Sequence, residues 1–210
     1  MIKNLKNNGF IRVALYFFWR EFDYLCFKPE LTMVFKGLKD KFKHKSGTKF
    51  LQQELKRAPV ALQRKPGIQS LGIIADLESF REDNRFFELV EDLGLKSNAV
   101  KIIGYREYYD KNSPYATPVF SDKDLGWKGA VENSYALEFL SRDYDLLINY
   151  FDQPRLLLHL MSIKTRAALR IGFSGVDPVY NDIILESPMS DFDTFRRELK
   201  KYLTLLNQLT

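Results

Sequence analysis

The spacing of hydrophobic positions changes partway along the chain. Leu31, Val34, Phe35, Leu38 and Phe42 recur at intervals of three and four, which predicts an amphipathic helix. Ser46-Gly47 is expected to end it, and Phe50, Leu51 and Leu55 to open another helical stretch toward Ala58-Pro59. An aromatic-rich segment over residues 9–27 precedes both and reads as a helix broken at Lys28-Pro29.

Beyond Pro66-Gly67 the period shifts to short apolar runs alternating with helical stripes. Residues 71–75, 100–104, 118–120, 146–148, 169–172 and 183–185 read as strands. Between them Ser79 and Glu82 have the spacing of a capping box, Phe86, Leu89, Val90 and Leu93 form a buried stripe, and Gly94 ends the helix. Asn133 caps a helix running to Leu140. Asp152 or Gln153, standing before Pro154, is expected to cap the leucine-rich helix that follows. A last helix opens at Ser190 and Asp193, with Phe192, Phe195, Leu199, Leu203 and Leu206 on one face. Strands separated by helices imply right-handed crossovers. The expected fold is therefore α/β and Rossmann-like: a mostly parallel sheet flanked by helices, residues 66–210, behind an N-terminal helical extension, residues 1–65.

Charge sharpens that division. Residues 1–65 hold 15 Lys and Arg against 5 Asp and Glu, while residues 66–210 hold 17 against 22. Lys36, Lys39, Lys41, Lys43, Lys45 and Lys49 fall within 14 residues, interleaved with Phe35, Phe42 and Phe50. Such a cluster suits RNA or a ribonucleoprotein, because each lysine near a phosphate releases condensed counterions. It suits an anionic membrane surface too, with Phe17, Phe18 and Trp19 entering the interface. The plain alternative is a solvated basic face. His44, within the cluster, belongs to that face.

Chemistry is sparse elsewhere. One cysteine, Cys26, and two histidines cannot build a zinc site without carboxylates, and an internal disulfide is excluded. The longest uncharged apolar run near the N-terminus, residues 13–19, falls short of the roughly 20 residues that cross a bilayer. No signal-peptide order is present, and the expected location is the cytoplasm. The chain lacks G-x-G-x-x-G after a strand and lacks G-x-x-x-x-G-K-[ST], so no nucleotide cofactor is implied. Gly172-Phe173-Ser174-Gly175-Val176 departs from the nucleophile elbow at its last position. His159 shares a polar stripe with Arg155, Ser162 and Arg166 and is expected to face outward.

Ligands of open parallel sheets bind beyond the carboxyl ends of the strands. Asp76, Glu78, Asn149, Asp152, Gln153, Ser174 and Asp177 are the binding candidates there, with Asp76 the weak catalytic one. Asp76, Glu78, Asp152 and Asp177 read as solvated loop acids rather than as a cation site, and no metal is expected.

The strand at residues 146–149, the helix at 156–163, and Ala167, Arg170 and Ile171-Gly172-Phe173 resemble the first domain of heptosyltransferase-type glycosyltransferases. The resemblance implies a catalytic acid after the first strand, which Asp76 matches, although Ala75 stands where that family has glycine. Its sugar-nucleotide domain has no counterpart in this sequence. Taken whole, with the terminal DFDTFRRELKKYL, the chain resembles an uncharacterised family of small Bacteroidota proteins. The expectation is a non-enzymatic module docking through its basic arm on RNA or a ribonucleoprotein, with a glycosyltransferase-like enzyme or remnant, or a peripheral membrane protein, as the alternative.

Overall fold

The computed structural model describes residues 29–57, 62–110 and 115–209, with side chains from residue 35 onward. The helix expected at residues 9–27, with Phe17, Phe18, Trp19 and Cys26, lies outside the described residues, as does Ala58-Pro59. The chain divides into two units, Met1–Phe42 and Lys43–Thr210. The second unit takes in the end of the first described helix.

That helix, α1, runs unbroken over Pro29–Glu54. Ser46-Gly47 does not end it. Gly47 is there for closeness: a Cβ at this position would lie 3.3 Å from Leu156 Cδ2 and 3.5 Å from Leu125 Cδ1. Ser46 stays helical because its hydroxyl donates to the Lys43 carbonyl at 2.8 Å and accepts the Lys128 N–H at 3.1 Å. Further along, Leu51 is buried among core residues.

After α1 come β1 (Leu71–Asp76), α2 (Phe86–Asp92), β2 (Val100–Tyr105), β3 (Val119–Phe120), α3 (Ser134–Leu140), β4 (Asp143–Tyr150), α4 (Leu156–Lys164), β5 (Arg166–Phe173), β6 (Ile183–Leu185) and α5 (Phe192–Leu205). The six strands form one sheet in the order β3-β2-β1-β4-β5-β6, every neighbouring pair parallel. This is a Rossmann-like α/β fold, and its strand order reverses between β1 and β4.

Each face of the sheet carries its own core, which is why the strands are apolar at successive positions. On one face Ile73, Ala75, Ile148 and Ile171 meet Phe86 and Leu89 of α2 and Phe195 and Leu199 of α5. On the other Ile74, Ile103 and Leu147 meet Phe139 of α3 and Leu157 and Leu160 of α4. Tyr150 anchors the first face: its ring stands edge-on to Phe195 and Phe173, both at 5.0 Å, and its hydroxyl donates to the Met189 carbonyl at 2.7 Å.

Local signals set several helix ends. Gly94, at φ 63°, lets the Leu95 N–H reach back to Val90 O at 2.9 Å. Asn133 Oδ1 accepts the Ala136 N–H at 3.0 Å and caps α3. Two expected caps are replaced. Ser79 donates to Asp76 Oδ2 instead of opening a helix, and α2 begins only at Phe86. Asp191, not Ser190 or Asp193, caps α5 by accepting the Thr194 N–H at 3.0 Å, while Asp193 pairs with Arg85.

Candidate functional site

The crevice beyond β1 and β4 is where an open sheet of this order offers a ligand site. Here it is filled by side chains. Asp76, the last residue of β1, is 0% exposed. Its Oδ1 accepts the Glu78 N–H at 3.0 Å, and its Oδ2 accepts Ser79 Oγ at 3.3 Å and Arg155 Nε at 3.1 Å. Arg155 Nη1 donates to Glu107 Oε1 at 2.9 Å, and the guanidinium lies 5.0 Å from the centre of the Tyr105 ring. Tyr105 in turn donates to Asp122 at 2.9 Å, and Glu78 Oε1 accepts the Glu107 N–H at 3.1 Å.

Desolvation works against the charge of Arg155, but the hydrogen bond to Glu107 and the charge of Asp76 outweigh it and raise its pKa. Burial, with the neighbouring Asp122, raises the pKa of Tyr105. The chemical consequence is closure. The backbone N–H that could cradle a phosphate after β1 already serves the Asp76 carboxylate, and that carboxylate would repel an incoming anion.

The other candidates do not join this cluster. Successive side chains of a strand point to opposite faces, and Asn149, next to Tyr150, is 1% exposed beside α4. Its Nδ2 donates to Ser162 Oγ and Asn181 Oδ1, both at 2.8 Å. Asp152 does not cap α4, and Arg155, which stands at the N-cap position, makes no side-chain cap either. Asp152 Oδ1 accepts Gln153 Nε2 at 3.1 Å, and Gly175 lies so close that a Cβ there would meet Asp152 O at 2.8 Å. Gln153 and Ser174 are exposed. Asp177 Oδ1 accepts the Val179 N–H at 3.0 Å and caps the short turn Pro178–Tyr180. Among the described residues no three His, Cys, Asp or Glu side chains gather as metal ligands.

His159 corrects the outward-facing expectation. It is 9% exposed, stacks on Tyr180 at 4.3 Å, and burial lowers its pKa. The stripe it shares with Ser162 is polar because Asn149 and Asn181 meet it from other elements, not because water does. A cleft of about 520 Å³ lies close by, lined in part by Arg57, Arg166 and Arg170. Each guanidinium is already engaged: Arg57 by Glu54, Arg166 by Asp143 and Arg170 by the Thr165 carbonyl.

The basic cluster is different. All six lysines lie on α1, and Lys36, Lys39, Lys41, Lys45 and Lys49 are exposed. Only Lys43 is half-buried, paired with Glu132 at 3.2 Å. Among the described residues no carboxylate lies within ion-pair distance of the other five. Phe35, Leu38 and Phe42 are 64%, 45% and 59% exposed.

Residues 43–206 match the model of a family of unknown function, DUF6913. The chain belongs to this family. No curated protein matches it. The DUF6913 segment contains the whole sheet and the Asp76–Arg155 cluster. It begins at Lys43, so Lys45 and Lys49 fall inside it while Lys36, Lys39 and Lys41 precede it.

Arg155 and Glu107 are the site residues that sequence reasoning missed. No spacing signal announces them, because Arg155 stands 79 positions from Asp76 and 48 from Glu107.

Proposed function

We propose that this DUF6913 protein is a non-enzymatic binding module that docks on RNA or a ribonucleoprotein through the basic surface of α1. One observation carries the reading: five lysines of a single helix are exposed and have no carboxylate partner among the described residues. Lysines that only solubilise a surface are commonly interspersed with acids, whereas lysines left unpaired in a row retain their full attraction for phosphate. The filled crevice at the end of β1 adds weight, since it offers neither an open pocket nor a free nucleophile. The reading carries with it a cytoplasmic location. Among the described residues no helix is long and apolar enough to cross a membrane.

The test is binding of a labelled RNA across a salt series. Each lysine in contact with a single strand should add about −0.7 to the slope of the logarithm of affinity against the logarithm of salt. Replacing Lys36, Lys39, Lys41, Lys45 and Lys49 by glutamine should remove most of that slope. Salt-independent binding, or a slope unchanged in the variant, rules the reading out.

A peripheral membrane role is the second reading, favoured by the exposed Phe35, Leu38 and Phe42; flotation with phosphatidylserine vesicles tests it. The glycosyltransferase-like alternative draws support from the place of Asp76 at the end of β1. Its full burial and its pairing with Arg155 count against a role as catalytic acid, and saturable binding of a sugar nucleotide, weakened by Asp76→Asn, is the result that would restore it.

A further inference from the structure

The exposed aromatic residues of α1 specify more than a general affinity for polyanions. A phenyl ring left in water forgoes the transfer energy that burial would supply, so two such rings on one stripe call for a partner with flat apolar faces. With 3.6 residues per turn, Phe35, Leu38 and Phe42 fall within an arc of about 60°, and the two rings are separated along the axis by about 10 Å. On the same scale Lys39 borders the stripe on one side and Lys45 on the other, while Lys49 continues its line toward the C-terminus.

Phosphate-seeking charges beside stacking surfaces match a nucleic-acid strand whose bases are unpaired. In an A-form duplex the bases are stacked inside the helix, and their faces cannot reach a protein ring. A lipid surface fits less well. An interfacial helix needs an apolar face that continues along its length, and here Lys45 and Lys49 occupy the side of α1 that Phe35, Leu38 and Phe42 hold one or two turns earlier.

We propose that α1 binds single-stranded rather than duplex RNA: Phe35 and Phe42 stack on unpaired bases while Lys39, Lys45 and Lys49 meet the adjoining phosphates. The proposal rests on the RNA reading above and is separable from it. Stacking of a base on an aromatic side chain does not depend on its identity, so binding is tolerant of sequence.

The experiment uses the full chain, labelled oligouridine, and a labelled RNA duplex of equal length. Phe35→Leu and Phe42→Leu keep apolar bulk and helix propensity but remove the ring. Each should weaken oligouridine binding by about tenfold, leave the salt slope intact and leave any duplex binding unchanged. If the leucine variants bind oligouridine as the parent does, or if duplex binds as tightly as oligouridine, the single-strand assignment falls while salt-dependent RNA binding stands. If neither RNA binds in a salt-dependent way, both readings fall together. Phosphatidylserine vesicles that displace oligouridine from the parent, and bind the leucine variants equally, would overturn the assignment in favour of lipid. Circular dichroism of each variant confirms that α1 is retained.

Discussion

Arg155 Nε meets Asp76 Oδ2 at 3.1 Å, joining the entrance of α4 to the end of β1 across the point where strand order reverses. The carboxylate is fully buried and the guanidinium about a quarter exposed. Removing the cation alone strands a buried negative charge. Arg155→Met should therefore cost about 3 kcal/mol in urea unfolding, at the low end for a buried pair because Arg155 still touches water. Adding Asp76→Asn should recover part of that loss. A neutral Arg155→Met would show that the pair has no structural weight.

Two glycines should respond oppositely to alanine. At Gly104 a Cβ would stand 2.2 Å from Leu77 Cδ1 within the core, so Gly104→Ala should destabilise by about 1–3 kcal/mol. At Gly37 nothing lies within 4 Å of the added carbon. Gly37→Ala should stabilise α1 by up to about 1 kcal/mol, seen as increased helical signal on heating.

His159 makes stability fall on acidification. Its pKa is lowered by burial from the ordinary 6.5, with Asp177 opposing only in part. Well above pH 6.5 the imidazole is neutral whether the chain is folded or not, and contributes no pH dependence. Below that value the unfolded chain takes up a proton that the folded chain resists, and stability declines by up to about 1.4 kcal/mol per pH unit until the folded pKa is reached. His159→Phe, which can still stack on Tyr180, should flatten this part of the profile in urea titrations. An unchanged profile would mean that another group titrates there.

Lysines of α1 should not count equally. Lys43 is held by Glu132, so a phosphate must compete with a carboxylate for it. Lys43→Gln should change the salt slope of RNA binding by less than Lys45→Gln, which should reduce it by about 0.7. Equal effects would show that the Glu132 pair opens readily in the complex.

Much of the fold is legible in the chain because its signals are local. Gly94 ends α2 through its own backbone freedom, and Asn133 caps α3 through an atom three residues away. The errors come where a distant element supplies the partner. Gly47 has the letter of a helix stop but the role of a spacer against Leu125 and Leu156. Ser79 and Glu82 have capping-box spacing, yet Asp76 captures the serine hydroxyl first. His159 and Ser162 trace a polar stripe that looks solvated in projection, because periodicity does not distinguish water from Tyr180, Asn149 and Asn181. Of the expected site residues, only Asp76 and Glu78 share one cluster, and its organising cation, Arg155, shows in the sequence only as one member of that polar stripe.

Because β6 pairs only with residues 171–173 of β5, the earlier half of β5 has a free flank. Asp182 fastens it at both hands, its N–H donating to Arg170 O at 2.9 Å and its carboxylate accepting the Arg170 N–H at 2.7 Å, while Arg64 Nε covers Ala168 O at 3.1 Å. Groups so occupied cannot recruit a strand from another copy. Asp182→Ala should leave the crowded cell a stickier molecule, prone to association that the parent resists, long before it leaves a less folded one.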